Sequence, residues 1–152
     1  MQGCPPVTRQ LIDVYEESGC PVVGVAEVPS SEIHRYCSLG VTPISKRVME
    51  VHQLVEKPKP EEVLSNYAIL GRYVLTPEIF PILENLSAGF GGEIQLTDGL
   101  NELCRKSRML AVAYQGVRYD TGNLRGYLEA QVKLALQHPE VGQWFAEFIK
   151  TV

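Results

Sequence analysis

The chain has 152 residues, of which 45% are hydrophobic and 21% charged, and its net charge at pH 7 is −4. This size and composition are typical of one folded domain, and an acidic balance without a basic cluster argues against a nucleic-acid-binding protein. Apolar runs reach about five or six residues, far short of the roughly 20 that span a bilayer. The first residues lack the pattern of a signal peptide. We therefore expect a single cytoplasmic domain over residues 1–152, without a nucleic-acid or membrane partner.

Cysteine usage agrees with a reducing compartment. The four cysteines lie far apart and lack the spacing of a metal site: Cys4, Cys20, Cys37 and Cys104. We expect free thiols. A zinc site is the alternative, but no close pairing of Cys with His supports it.

Helices and strands are predicted to alternate from the start of the chain. Glycine and proline, at Gly40 and Pro43, predict a loop over Cys37–Ser45. The other early elements are a helix over residues 6–19, a buried strand over 21–28, a helical turn within 30–36 and a strand over 47–58.

The second half continues this alternation. Thr76 is predicted to cap a helix that has Pro77 at its first position. The remaining elements are strands over residues 66–76, 109–116 and 117–120, and helices over 93–107, 124–138 and 140–152. Alternating strands and helices favour an α/β layer structure.

The strand over residues 47–58 ends in an adjacent acid and base, Glu56 and Lys57, followed by Pro58. In open α/β sheets, ligands bind in the crevice beyond the carboxyl ends of the strands. A carboxylate there can accept hydrogen bonds from sugar hydroxyls, and a lysine can hold a phosphate. The alternative is a solvated turn whose charges have no ligand.

Two further segments could line such a crevice. The glycine-rich loop "SAGFGGE" places Glu93 at the predicted start of a helix, where backbone N–H groups can approach a ligand. Asp120 is predicted to end a short strand, from which it could bind Mg²⁺. The alternatives are a flexible loop with an acid that favours the helix start, and an aspartate that caps the following helix.

Four motifs follow one another along the chain: "LVEKPKP", "SNYAILGRYVLTPEIF", "GGEIQLTD" and "YDTGNLRGY". In this order the chain resembles, from Val22 to Lys150, the C-terminal half of bacterial UTP–glucose-1-phosphate uridylyltransferases. The resemblance implies a nucleotide-diphospho-sugar transferase-like, Rossmann-like α/β fold, with a mixed sheet flanked by helices. It implies an enzyme of carbohydrate metabolism that converts UTP and glucose 1-phosphate into UDP-glucose and pyrophosphate with Mg²⁺.

The same resemblance implies roles for particular residues. Glu56 would bind the glucose hydroxyls, Lys57 would hold the sugar phosphate as a catalytic residue, and Asp120 would be one of two acids that hold Mg²⁺. The residues expected to line the sugar side of the cleft are Gly40, Ala68, Gly71 and Glu93.

Two departures from the family pattern stand out. The glycine-rich loop that grips UTP and the first metal acid are missing, so we expect a fragment that binds UTP only with the missing N-terminal half. Such a fragment would be inactive alone and would expose sheet edges, which favours a homo-oligomer. The family also has glycine after the tyrosine of "HRYCSLG", where this chain has Cys37. Either Gly40 serves in its place or sugar binding is impaired.

Other functions are compatible with these residues. The chain could belong to a dTDP-glucose or ADP-glucose type of nucleotidyltransferase, since the base-reading residues are missing. It could also be a non-catalytic, truncated module for binding or oligomerisation.

Overall fold

The computed structural model describes residues 5–87 and 92–152. These residues cluster into two compact units, one within residues 5–116 and the other spanning Val117–Val152. The expectation of a single domain over residues 1–152 stays a prediction.

The larger unit contains five strands and three α-helices among its described residues. Its strands are β1 (Val22–Glu27), β2 (Cys37–Pro43), β3 (Val48–Glu56), β4 (Tyr67–Val74) and β5 (Met109–Ala113). Its helices are α1 (Val7–Ser18), α2 (Ile79–Glu84) and α3 (Leu96–Lys106), with single 3₁₀ turns at Ile33–Arg35 and Pro60–Glu62. The smaller unit consists mainly of α4 (Leu124–Leu136) and α5 (Gly142–Phe148).

The five strands form one closed, mixed sheet in the order β1-β4-β2-β3-β5. Strand β5 returns to β1 in parallel, whereas the other neighbours are antiparallel. The expected mixed sheet with flanking helices is therefore confirmed. The expected exposed edges are wrong for the described strands, because closure gives each strand a neighbour on both sides.

The loop predicted over Cys37–Ser45 is also wrong, since most of it forms strand β2. Gly40 and Pro43 are compatible with pairing here for separate reasons. The register between β2 and β3 shifts between Gly40 and Val41, which is a bulge. Pro43 is the last residue of the strand, a position that tolerates the missing N–H donor.

Two helix starts differ from the sequence predictions. Thr76 does not cap α2, which begins at Ile79 after Glu78 and has no side-chain cap. Glu93 does not stand at the start of α3, which begins at Leu96 after Gln95. The glycine-rich loop between these helices includes residues 88–91, which lie outside the described part of the chain.

The hydrophobic core fills the sheet and extends under α2 and α3. Helix α3 approaches α2 closely at Gly99, where a Cβ would come within 2.6 Å of the Leu83 Cδ2 atom. The largest fully buried side chains include Leu11, Leu39, Leu100, Leu103 and Met109.

Polar contacts fix α3 against the second half of β3. Strand β5 pairs with β3 only from Val48 to Val51, so the backbone of Leu54 has no β5 partner. The Asn101 side chain fills this place: its Oδ1 accepts from the Leu54 N–H at 2.9 Å, and its Nδ2 donates to the Leu54 carbonyl at 2.7 Å. The start of α3 is thereby held beside the end of β3.

We expect Asn101→Ala to lower the free energy of unfolding by about 1–3 kcal/mol, because it leaves two backbone groups without partners. Urea unfolding followed by circular dichroism measures this change. Lys106→Ala, an exposed substitution on the same helix, is the control and should change stability by less than about 0.5 kcal/mol. Equal effects of the two substitutions would contradict the role given to Asn101.

Candidate active site

The carboxylate of Glu56 lies where three elements of the larger unit meet. Glu56 is the last residue of β3 and pairs with Cys37, the first residue of β2. Thr97 lies in the first turn of α3, and its hydroxyl donates a hydrogen bond to Glu56 Oε2 at 2.8 Å. This contact follows from the docking of α3, since Thr97 precedes Asn101 by one helical turn.

Cys37 and Tyr73 complete the surroundings of this carboxylate. Burial raises the pKa of the Cys37 thiol to about 12, with a further contribution from the negative charge of Glu56. The pKa of Tyr73 is also raised, first by burial and then by Cys37 and Glu56. Cys37 pairs with Glu56 and Thr97 hydrogen-bonds to it, while Tyr73 is near enough for their charges to affect its pKa. We call these four residues the Glu56 cluster. This cluster combines one carboxyl side chain with hydroxyl and thiol groups.

Lys57 follows this cluster in a strained backbone conformation. Its φ angle is +46°, in the left-handed region, which costs a residue with a Cβ roughly 1–2 kcal/mol. The Lys57 N–H donates to the Tyr36 carbonyl at 3.0 Å, and the next residue, Pro58, is fully buried. These contacts hold the turn, while the Lys57 side chain is exposed. Such strain is often found where a side chain must be presented to a ligand.

Two of the residues expected to line the cleft lie on β4. Ala68 is fully buried and pairs with Ser38 of β2, directly beside the pair of Ile69 with Cys37. Gly71 has φ +81° and is followed by Arg72 with φ +75°. Together they form an irregularity opposite β1 that precedes Tyr73 of the Glu56 cluster.

The other two expected residues are Gly40 on β2 and Glu93 before α3. Gly40 pairs with Gln53, about 10 Å along β2 from Cys37 at the usual rise of a strand. Cys37 itself, rather than Gly40, lies opposite Glu56. Glu93 is exposed and lies three positions before Leu96, the first residue of α3. The assignments of Gly40 and Glu93 to substrate binding stay predictions.

Asp120 lies in the smaller unit, in a turn before α4. The strand expected over residues 117–120 is wrong, because only Val117 forms an isolated bridge there. Asp120 Oδ1 accepts from the Gly122 N–H at 3.1 Å, and its Oδ2 lies 3.9 Å from the Arg118 guanidinium. Asn123, not Asp120, caps α4 by accepting from the Gly126 N–H at 2.9 Å. The expected convergence of Asp120 with the acid and base of β3 stays a prediction.

The remaining sequence expectations concern cysteines and membranes. Cys20, Cys37 and Cys104 are free thiols, as predicted, whereas Cys4 lies outside the described residues. Across residues 5–87 and 92–152, no helix has the length and apolar character needed to cross a bilayer.

Comparison with known proteins places this geometry in a family. The nucleotidyl transferase model matches residues 9–137, so the chain belongs to the nucleotidyl transferase family. A Staphylococcus epidermidis protein named UTP–glucose-1-phosphate uridylyltransferase is 46% identical over 145 residues, covering 95% of this chain and 50% of that relative. The Staphylococcus haemolyticus protein of the same name is 43% identical over 145 residues, which are again 95% of this chain and 50% of the relative. The chain therefore spans about half the length of the curated relatives it matches.

Solved structures agree with the fold. The structure of a UDP-glucose pyrophosphorylase complexed with UDP-glucose superposes with a TM-score of 0.83 at 36% sequence identity. The match covers 88% of this chain and 51% of that protein's chain. A UTP-bound enzyme of this type from Acinetobacter baumannii superposes with a TM-score of 0.84 at 30% sequence identity. The match covers 98% of this chain and 52% of that protein's chain.

Nucleotidyltransferases of this kind generally use a divalent metal. The described residues contain no group of three or more His, Cys, Asp or Glu side chains that could hold one. The carboxylate of Asp120 is a hard oxygen ligand of the kind that Mg²⁺ prefers, but alone it does not make a complete metal site. The same finding leaves the zinc alternative without support in the described residues.

Sequence reasoning missed Thr97, Tyr73 and Asn101. Thr97 stands within the motif "GGEIQLTD", but its partner Glu56 lies 41 residues away along the chain. A signal was present, since a threonine in the first turn of a helix can offer its hydroxyl to a neighbouring element.

We expect the Cys37 thiol to react very slowly with iodoacetamide at pH 8. With a pKa of about 12, the thiolate would be roughly a ten-thousandth of the population, and the thiolate is the reactive form. Peptide mass spectrometry after timed alkylation measures the rate, with Cys20 as the less buried control. Alkylation of Cys37 as fast as that of Cys20 would show that the site is open and the thiol ionised.

Proposed function

We propose that this chain carries the sugar-phosphate-binding part of a UTP–glucose-1-phosphate uridylyltransferase. The full reaction would join UTP and glucose 1-phosphate into UDP-glucose and release pyrophosphate. The observation that carries this proposal is that Glu56 and Lys57 stand side by side at the end of β3 in different surroundings. Glu56 is partly buried and held by Thr97, whereas Lys57 is exposed on a strained turn. The names of the similar proteins support the choice of ligand.

In this proposal the two charges bind opposite ends of one small molecule. The Glu56 carboxylate accepts hydrogen bonds from the glucose hydroxyls, which are donors that a carboxylate prefers. The Lys57 ammonium holds the phosphate as a compact positive charge. Ala68, Gly71 and Glu93 would line the sugar side, with Gly40 farther along β2.

The chemistry needs no covalent enzyme intermediate. A phosphate oxygen of glucose 1-phosphate forms a bond to the α-phosphorus of UTP, while the bond from that phosphorus to the pyrophosphate oxygen breaks. Lys57 would reduce the repulsion between the two anions and hold the attacking phosphate in place. Glu56 would fix the orientation of the sugar.

The metal and the nucleotide belong to the same proposal. We assign Asp120 as one carboxylate ligand of Mg²⁺, with the other ligands supplied by substrate phosphates and by groups beyond this chain. UTP binding is assigned to the half of the relatives that this chain does not span. Catalysis by these 152 residues alone is therefore not expected. A cytoplasmic homo-oligomer remains part of the proposal.

Binding of glucose 1-phosphate to this chain tests the assignment of Lys57. Lys57→Ala and Lys57→Gly should each weaken binding at least about tenfold, because a charge-assisted contact with phosphate is lost. Lys57→Gly should not lower stability, since glycine relieves the left-handed strain. Isothermal titration calorimetry measures the affinity, and urea unfolding measures the stability.

Lys59→Ala is the matched control, because it removes an exposed lysine two residues farther on. Its affinity for glucose 1-phosphate should stay within about twofold of the unchanged chain. Equal losses for Lys57→Ala and Lys59→Ala would indicate a general charge effect. Absence of glucose 1-phosphate binding to the unchanged chain would favour the non-catalytic alternative.

A further inference from the structure

We propose that Thr97 is a positioning residue that orients the Glu56 carboxylate toward the sugar. This inference rests on the proposed role of Glu56 in binding glucose hydroxyls. Thr97 would not touch the reacting atoms. It would decide which of the two carboxylate oxygens is left to accept a hydrogen bond from the ligand.

The hydrogen-bond count at this contact supports the inference. The Thr97 hydroxyl has a single proton, and it is donated to Glu56 Oε2 at 2.8 Å. The other oxygen, Oε1, remains available as an acceptor for a sugar hydroxyl. A carboxylate held at one oxygen also loses less rotational freedom when it binds, which favours affinity.

Thr97 is itself held more firmly than a surface threonine. It is 9% exposed, and its β-branched side chain has few accessible rotamers. Its helix is tied to β3 by the two hydrogen bonds between Asn101 and the Leu54 backbone. The position of its hydroxyl is therefore set by the docking of α3 rather than by the ligand.

Cys37 supports the same arrangement from the facing strand. It lies opposite Glu56 in the register of β2 and β3, and its thiol donates to the Ser38 backbone carbonyl at 3.8 Å. Because the Cys37 S–H is donated to the backbone, it does not compete with the ligand for the Glu56 carboxylate. Glu56 thus has neutral neighbours that orient it without competing for its charge.

Two opposite substitutions separate this role from simple packing. Thr97→Val keeps the shape of the side chain and removes the hydroxyl, whereas Thr97→Ser keeps the hydroxyl and removes a methyl group. We expect Thr97→Val to weaken glucose 1-phosphate binding roughly five- to tenfold and Thr97→Ser to bind within about twofold of the unchanged chain. Affinity for inorganic phosphate, which has no sugar, should be the same in all three chains.

The measurement is titration of each chain with glucose 1-phosphate and, separately, with inorganic phosphate, followed by NMR. The ¹³C chemical shift of the Glu56 carboxyl carbon in the free chains reports the hydrogen bond itself and should move only in Thr97→Val. Unchanged glucose 1-phosphate affinity in Thr97→Val, with binding intact, would overturn the role of Thr97 while leaving the proposed function. Equal loss of phosphate affinity would show a structural role instead. If the unchanged chain does not bind glucose 1-phosphate, both the proposed function and this inference fail.

Discussion

The paired hydrogen bonds between Asn101 and the Leu54 backbone are the constraint on which the candidate site depends. They occupy the part of β3 that β5 does not reach and so fix helix α3 beside the end of that strand. Thr97 lies one helical turn before Asn101, and Glu56 lies two residues after Leu54. The docking therefore brings the Thr97 hydroxyl within hydrogen-bonding distance of Glu56. Without this docking, the carboxylate would have no fixed orientation, and the charges at the end of β3 would be those of an ordinary turn.

The two charges at this strand end are stabilised in different ways, and the difference suits different tasks. Glu56 is partly enclosed by neutral polar groups, so it can accept directional hydrogen bonds. Lys57 is exposed on a left-handed backbone, held by the bond of its N–H to the Tyr36 carbonyl and by buried Pro58. The core beneath the turn thus supports strain at the position of the exposed cation. A ligand with hydroxyls at one end and a phosphate at the other matches this pair.

Local patterns in the sequence were sufficient for most helices and strands, because their apolar periodicity reflects one packed face. They failed where a partner decides the structure. Gly40 and Pro43 are loop signals, yet pairing with β3 and β4 makes their segment a strand, and the register with β3 shifts just after the glycine. The acid and base of β3 could be selected from the sequence by their place at a strand end. The contact of Thr97 with Glu56 could not, since it depends on how a distant helix packs.

A map of amide chemical-shift changes on adding glucose 1-phosphate to the isotope-labelled chain tests the central claim most directly. We expect the largest changes around Glu56, Lys57, Tyr73 and Thr97. Little change is expected around Arg105 and Arg108, two exposed arginines at the far end of α3 that form ion pairs with Glu102 and Glu50. Changes concentrated at those arginines, with none at the end of β3, would contradict the account.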